Sequence, residues 1–459
     1  MSEPQGWISS EVDDFLGQLG PKVGREAKRM KNEASSKRVY AVIPFAMTIS
    51  LFFLWGMAHN LNDILIAQFK RAFSLSNAQA SLVQSAFYCA YLVMPLPVSI
   101  VMNKLGYRNA VLCGLVAYGV GAMLFWPAAA VHQYNAFLAV LFIIACGIVF
   151  LETSGMAMIA ALGPSRSYEW RINLASAFNP VGSIAGIMIG RQFIFPSVEL
   201  TPVERTLLSP MQAASYSAIQ ANAVRWPYLA IGICVILWAV AIKMTPYPQA
   251  VDERRVNASF KGELAKLCKA PHFLYGVLVQ LLYVGSQIAC WSFLILYSKA
   301  QLPGITDRRA ATYLIYSLCA FIAGRFTTTI CLRWFTLAKI CAVAASASVA
   351  LCIVAAVVGG ELGVWSLVGV GFMMSVMFPA IFTMGLSGHE EEARLGTALM
   401  IMSIIGGAII TAIMGRVADI YSVMDAYFVP AACFAAVLIY ALVSIRREEK
   451  VIHNIPVPT

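Results

Sequence analysis

The sequence predicts an all-α polytopic membrane protein, twelve transmembrane helices arranged as two six-helix halves. Three observations carry that prediction. The 459-residue chain is 59% hydrophobic and only 12% charged, about half the charged fraction of a soluble domain. Its mean hydropathy is +0.73. Apolar runs of the length that crosses a bilayer, about 20 helical residues, recur along nearly the whole chain.

Charge and cysteine usage then narrow the class. The net charge of +10, from 33 Lys and Arg against 23 Asp and Glu, falls in the loops expected on the cytoplasmic side, so it points to topology and not to nucleic acid. The eleven cysteines are mostly singletons within apolar runs, such as Cys113, Cys146, Cys234, Cys352 and Cys433. They read as small buried hydrophobes, not as disulfides or metal ligands. The first forty residues are polar, so no cleavable signal peptide is expected. A G-x-x-x-x-G-K-[ST] motif is absent, which argues against an ATP-driven pump. No Ser–His–Asp or metal constellation stands out, so neither an enzyme nor a cofactor is expected, the proton aside.

Taken in order, residues 1–38 form a basic tail (Lys22, Arg25, Lys28, Arg29, Lys31, Lys37, Arg38) suited to a cytoplasmic, lipid-facing position. The twelve predicted spans cover 39–69, 78–102, 109–130, 135–161, 171–195, 226–245, 272–299, 309–332, 338–358, 363–386, 396–418 and 425–445. An N-terminal bundle (39–245) and a C-terminal bundle (271–446) are joined by a charged loop (246–270) with no apolar run, and 447–459 is a short tail. Bases concentrate on one side of this arrangement, which places both termini in the cytoplasm of a cell whose plasma (inner) membrane holds the chain. The sequon at Asn257 falls in the cytoplasmic loop and is expected to be unused.

The second half repeats the first. An offset of 225 residues brings Tyr88 and Tyr91 onto Tyr313 and Tyr316, Gly163 onto Gly388, Gly182 onto Gly407, and Gly190-Arg191 onto Gly415-Arg416. A six-plus-six parallel repeat is the arrangement of major-facilitator transporters, whose site lies near the midplane between halves. Under the same offset Asp63 meets Ile288 and Glu152 meets Met377, so the two halves have unequal roles.

Only two acids sit inside apolar spans. Asp63 lies late in the first, sharing a helical face with Gly56, His59 and Asn60, and Glu152 follows fifteen uncharged residues in the fourth. A carboxylate at membrane depth costs about 2.5–3.5 kcal/mol, so such acids usually have a function. Low dielectric disfavours the charged form, and either group could therefore exchange a proton. The alternative is a structural hydrogen bond or ion pair. His59, beside Asp63, could join a proton path or simply bond a neighbour. Ser176, Asn179 and Ser183 share a face of the fifth span, fit equally for lining a hydroxylated substrate's cavity or for helix packing. Gln280, Tyr283, Gln287 and Trp291 share a face of the seventh, an amide and aromatic set of the kind that binds sugars. Between spans 2 and 3, Lys104-Leu105-Gly106-Tyr107-Arg108 looks like a remnant of the major-facilitator loop motif, with Asn103 near the usual Asp.

Together FLWGMAHNLNDILIAQF, SLVQSAFYCAYLVMPLP, GLVAYGVGAMLFWPAA, LET with ALGP, RINLASAFNPVGS and YVGSQIACWSFLI resemble the L-fucose:proton symporters of the major facilitator superfamily, from about residue 45 to 440. The resemblance implies a monomeric sugar symporter in which Asp63 (in LND) and Glu152 (in LET) couple the proton. It also implies that Trp55, Asn60, Asn62 and Asn179 line the sugar cavity, together with the positions of Ser176, Gln287 and Phe378. This chain departs from the pattern where Ser176 stands for a glutamine, Phe378 for a tyrosine, and Ser154-Gly155-Met156-Ala157 follows LET. Those changes alter the hydrogen-bonding set that selects hydroxyl stereochemistry, so L-fucose is expected first and a related hexose or pentose second. A uniporter, a carrier of another polar solute and a non-transporting sugar receptor are the alternatives.

Overall fold

The computed structural model describes residues 42–59, 61, 87–131, 133–163, 167–189, 193, 209, 211–212, 224–248, 251, 259–305, 307–389 and 391–453. The N-terminal half contains α1 (Val42–His59) and the bent pair α2 (Phe87–Val93) and α3 (Pro95–Leu105). It continues with α4 (Tyr107–Val131), α5 (Tyr134–Ala161), α6 (Tyr168–Ile189) and α7 (Arg225–Met244). A short α8 (Phe260–Cys268) leads into the second half, which begins with α9 (Pro271–Gln301), α10 (Asp307–Cys331) and α11 (Leu337–Val357). The sequence then continues through α12 (Gly360–Met374), α13 (Met377–Leu386), α14 (Ala393–Met402), α15 (Gly406–Ile420) and α16 (Phe428–His453).

Among the described residues ten helical stretches are long and apolar enough to cross a membrane, and the bent α2–α3 pair makes eleven. The predicted span missing from that count is the fifth, α6. Its 22 residues reach about 33 Å, enough to cross, but Arg171, Asn173, Ser176, Asn179 and Ser183 dilute its hydropathy. Of these, Ser176, Asn179 and Ser183 line the cavity between the halves, whereas Arg171 bonds the Ile159 carbonyl of α5 and Asn173 bonds Thr329 of α10.

The broken spans follow from proline. Pro95 and Pro97 have no N–H for the carbonyls of Tyr91 and Val93, and α2 and α3 meet at 50°. Pro379 likewise cannot bond the Ser375 carbonyl, and the tenth span divides there into α12 and α13. The Tyr283 hydroxyl donates to the Met374 carbonyl at 2.8 Å, supplying a donor at the break. Several buried hydroxyls elsewhere bond the preceding turn, as Ser286 does to Leu282 and Thr328 to Gly324, which satisfies them inside an apolar medium.

Small residues set the close crossings, as is usual between membrane helices. A Cβ on Gly147 of α5 would strike the Tyr118 backbone of α4, and one on Gly182 of α6 would strike the Phe53 carbonyl of α1. In the second half a Cβ on Gly406 would strike the Leu281 carbonyl of α9, while one on Gly407, the offset partner of Gly182, would meet the Ile288 side chain and the Tyr88 hydroxyl. The outward faces carry exposed apolar side chains such as Val116, Leu237, Val343 and Leu362, a surface suited to lipid. Two of the cysteines expected inside, Cys113 and Cys234, lie on that exposed surface, whereas Cys352 and Cys433 are buried.

The linker is more structured than its sequence indicates. Ser259 accepts a hydrogen bond from the Gly262 N–H and caps α8. Lys266 of that helix then pairs with Glu392, just before α14, at 2.8 Å.

Candidate functional site

A cavity of about 450 Å³ lies between the halves, within the range of small-molecule sites. The N-terminal half contributes Trp55 and His59 from α1, Tyr88 from α2, Glu152 from α5, and Ser176, Asn179 and Ser183 from α6. The C-terminal half contributes Gln287, Ile288 and Trp291 from α9, Phe321 and Arg325 from α10, and Phe378 from α13. The structure thus brings together Trp55, His59, Glu152, Ser176, Asn179, Gln287 and Phe378, which come from five different spans. Asn60, Asn62 and Asp63 lie outside the described residues.

Glu152 is the only acidic side chain among the described cavity residues, and only 3% of it is exposed. Tyr91, fully buried on α2, donates its hydroxyl to Glu152 Oε2 at 2.7 Å, a charge-assisted bond when the carboxyl is ionised. The same hydroxyl lies 3.3 Å from His59 Nε2. His59 Nδ1 lies 3.2 Å from the Trp55 carbonyl one turn back. Neither Tyr91 nor its link to Glu152 is visible in the sequence, where Tyr91 stands out only as a member of the repeat.

The polar floor comes from α6 and α9. Ser176 is buried and its hydroxyl has no protein partner, so it is free to bond a ligand. Pro180 lacks the N–H that would bond the Ser176 carbonyl, which loses its intrahelical donor beside the cavity. Asn179 packs against Gly56, where any Cβ would meet the Asn179 carbonyl, and Ser183 donates to the Gly56 carbonyl at 3.3 Å. These contacts join α1 and α6 along the cavity wall. On α9 the predicted face divides. Gln287 and Trp291 reach the cavity, Trp291 holding Ser317 at 3.2 Å through its indole N–H. Gln280 and Tyr283 are buried and do not line it, Tyr283 serving the helix break described above. Phe378 lies parallel to Phe382 with centroids 6.3 Å apart and gives the cavity an apolar side.

Arg325 is the residue that the sequence reading missed. It is 4% exposed, lines the cavity and stands 5.1 Å over the Phe321 ring. Its Nε and Nη1 are buried with no hydrogen-bond partner. The signal was present, a lone cation seven residues before the end of an apolar span.

Further bonds tie the halves together on the linker side of the cavity. The Asn173 amide donates to Thr329 Oγ1 at 2.8 Å. Arg394, at the start of α14, donates to Asn103 Oδ1 at 3.2 Å and stacks 4.5 Å over Tyr107. The loop-motif remnant is therefore engaged, with a neutral amide in the position of the usual acid.

With this geometry in place, comparison with known proteins decides the family. Residues 39–413 match the Major Facilitator Superfamily. The chain belongs to that superfamily. It is a membrane transporter and not an enzyme. It is 39% identical to the L-fucose-proton symporter of Escherichia coli over 90% of this chain and 95% of that one. It is 32% identical to a putative glucose/galactose transporter of Helicobacter pylori over 87% and 96% of the two chains. The crystal structure of the E. coli fucose:proton symporter superposes with a TM-score of 0.82 at 39% identity, covering 88% of this chain and 99% of that one. A second crystal structure, of a superfamily transporter in the outward conformation, matches with the same TM-score at 40% identity.

Proposed function

We propose that this superfamily member is a proton-coupled monosaccharide symporter working by alternating access, with L-fucose as its first substrate. The observation that carries the reading is a buried carboxyl, Glu152, held by Tyr91 at the wall of a cavity shared by both halves. Likeness to the E. coli L-fucose-proton symporter over nearly the whole chain supports the same reading. Glu152 and Asp63 would take and release the coupling proton. Trp55, Asn60, Asn62, Ser176, Asn179, Gln287 and Phe378 would contact the sugar, with Arg325 added to that set. The protein would act as a monomer in the inner membrane, both termini in the cytoplasm.

A second reading keeps the fold and changes the sugar. Ser176 and Phe378 present less hydrogen-bonding capacity than the amide and phenol expected of a fucose carrier, and a buried site short of one partner discriminates steeply. The putative glucose/galactose transporter among the relatives points the same way.

The test is L-fucose uptake into proteoliposomes, with and without an inward proton gradient, in competition with glucose and galactose. Accumulation against a concentration gradient only when protons are driven inward is the expected result, and Asp63→Asn and Glu152→Gln each abolish it. Gradient-independent equilibration would make the protein a uniporter. Wild-type accumulation by both variants would remove the carboxyls from coupling.

A further inference from the structure

The proton that Glu152 exchanges has a path laid out in side chains. We infer that Tyr91 and His59 form a two-step relay carrying the coupling proton between the cavity and Glu152, with Tyr91 as its switch. The inference rests on the proton-symport reading above and deepens it.

The argument begins with the histidine tautomer. A carbonyl can only accept, so the 3.2 Å contact of His59 Nδ1 with the Trp55 carbonyl places a proton on Nδ1. Neutral His59 then presents a bare Nε2 to the Tyr91 hydroxyl at 3.3 Å. Tyr91 has a single hydrogen and two acceptors, Glu152 at 2.7 Å and His59 at 3.3 Å. Which one receives it depends on where the extra proton is. With Glu152 ionised, Tyr91 donates to the carboxylate. With Glu152 protonated, the carboxyl donates to the Tyr91 oxygen, and the tyrosine hydrogen turns to His59.

Transfer inward then balances atom for atom. His59, doubly protonated from cavity water, gives its Nε2 proton to the Tyr91 oxygen as the Tyr91 O–H bond breaks toward Glu152. The products are neutral imidazole, an intact phenol and a neutral carboxyl. One proton has moved, and no electrons have been gained or lost. Release is the same step reversed.

Exposure gives the relay its direction. Glu152 and His59 both line the cavity, but Glu152 is 3% exposed and Tyr91 is fully buried while His59 is half-buried, which makes His59 the more accessible end. The groups facing the pair among the described residues are Tyr88 and Phe87 on α2, Glu152 on α5 and Arg325 across the cavity. None of these besides Glu152 carries a negative charge; Asp63, four residues on from His59, lies outside the described residues. Phe87 holds the imidazole edge-on at 4.9 Å, fixing the ring that must aim Nε2 at the phenol.

The experiment follows L-fucose-evoked proton uptake with a pH-sensitive dye in proteoliposomes, alongside L-fucose counterflow, which requires no net proton movement. Tyr91→Phe removes the switch but keeps the ring. It is expected to slow proton uptake by about 10²-fold, the usual worth of a positioned acid–base group, while counterflow continues. His59→Gln leaves the Tyr91–Glu152 bond in place and is expected to slow proton uptake similarly. It also decides the matter should Tyr91→Phe lose counterflow through misfolding. Proton uptake at the wild-type rate in His59→Gln would overturn the relay while leaving symport standing. A wild-type protein that moves sugar without protons would overturn both.

Discussion

A guanidinium cannot shed its proton to escape burial, so Arg325, with two unpartnered N–H groups at the cavity wall, needs a partner that the described protein does not supply. The planar fork suits two neighbouring hydroxyls of a pyranose. Arg325→Gln should weaken L-fucose binding about 10- to 100-fold, the equivalent of losing a hydrogen bond to a charged group. Arg325→Lys should recover part of the loss, since it restores charge without the fork. A titration of intrinsic fluorescence can report it, because Trp55 and Trp291 line the same cavity. Equal affinity in all three proteins would show that the cation serves the fold alone. Much of this site was legible at the residue scale. An acid in an apolar run and amides at helical spacing are rare enough to mark a cavity, and Glu152, Ser176, Asn179 and Gln287 all line it. Tyr91 was not legible. A tyrosine in a membrane span is ordinary, and the partner that gives it a role is 61 residues away in sequence.

The helices meet near the linker through bonds of unequal kind. Asn103 accepts from Arg394 as a neutral amide. Asn103→Asp would turn that contact into an ion pair between two charged groups and hold the halves together there. Turnover of L-fucose exchange should fall several-fold with binding affinity little changed. Faster exchange would show that the contact does not restrain opening. The Lys266–Glu392 pair behaves differently. The hydrogen bond that Lys266 donates to Glu392 is the main cause that raises its amine above the usual 10.5. A raised lysine pKa gives a contribution that is complete below the usual value and lost only as pH climbs through the raised one. Lys266 therefore keeps its charge in this tie over the physiological range. Proline-broken spans could be anticipated from the sequence, since a missing N–H has a fixed address. The α8 helix could not, because its nine residues mix apolar side chains with Lys, Gly and Glu in no long apolar run, and Ser259 and Glu392 support it.

Across the whole molecule the two halves share a plan and differ in use. Tyr88 and Tyr91 serve the cavity and Glu152, whereas their repeat partners Tyr313 and Tyr316 pack around Trp365 at 5.6 and 5.8 Å. Ile288, the offset partner of Asp63, contributes apolar surface to the cavity. The sequence offset anticipated this inequality, because the acids had no counterparts. If the halves rock as rigid units, fastening them on the linker side must stop transport. Asn173→Cys with Thr329→Cys, in a background lacking the eleven native cysteines, should lose uptake on reducible cross-linking and regain it with reductant. Undiminished uptake in the cross-linked protein would exclude rocking at that contact. Pro180 has a slower consequence. By stripping the Ser176 carbonyl of its helical donor, it gives the cavity a backbone acceptor that no side-chain replacement at position 176 can delete. Lineages of this transporter can therefore exchange cavity side chains, and with them sugar preference, around one anchor fixed by the main chain.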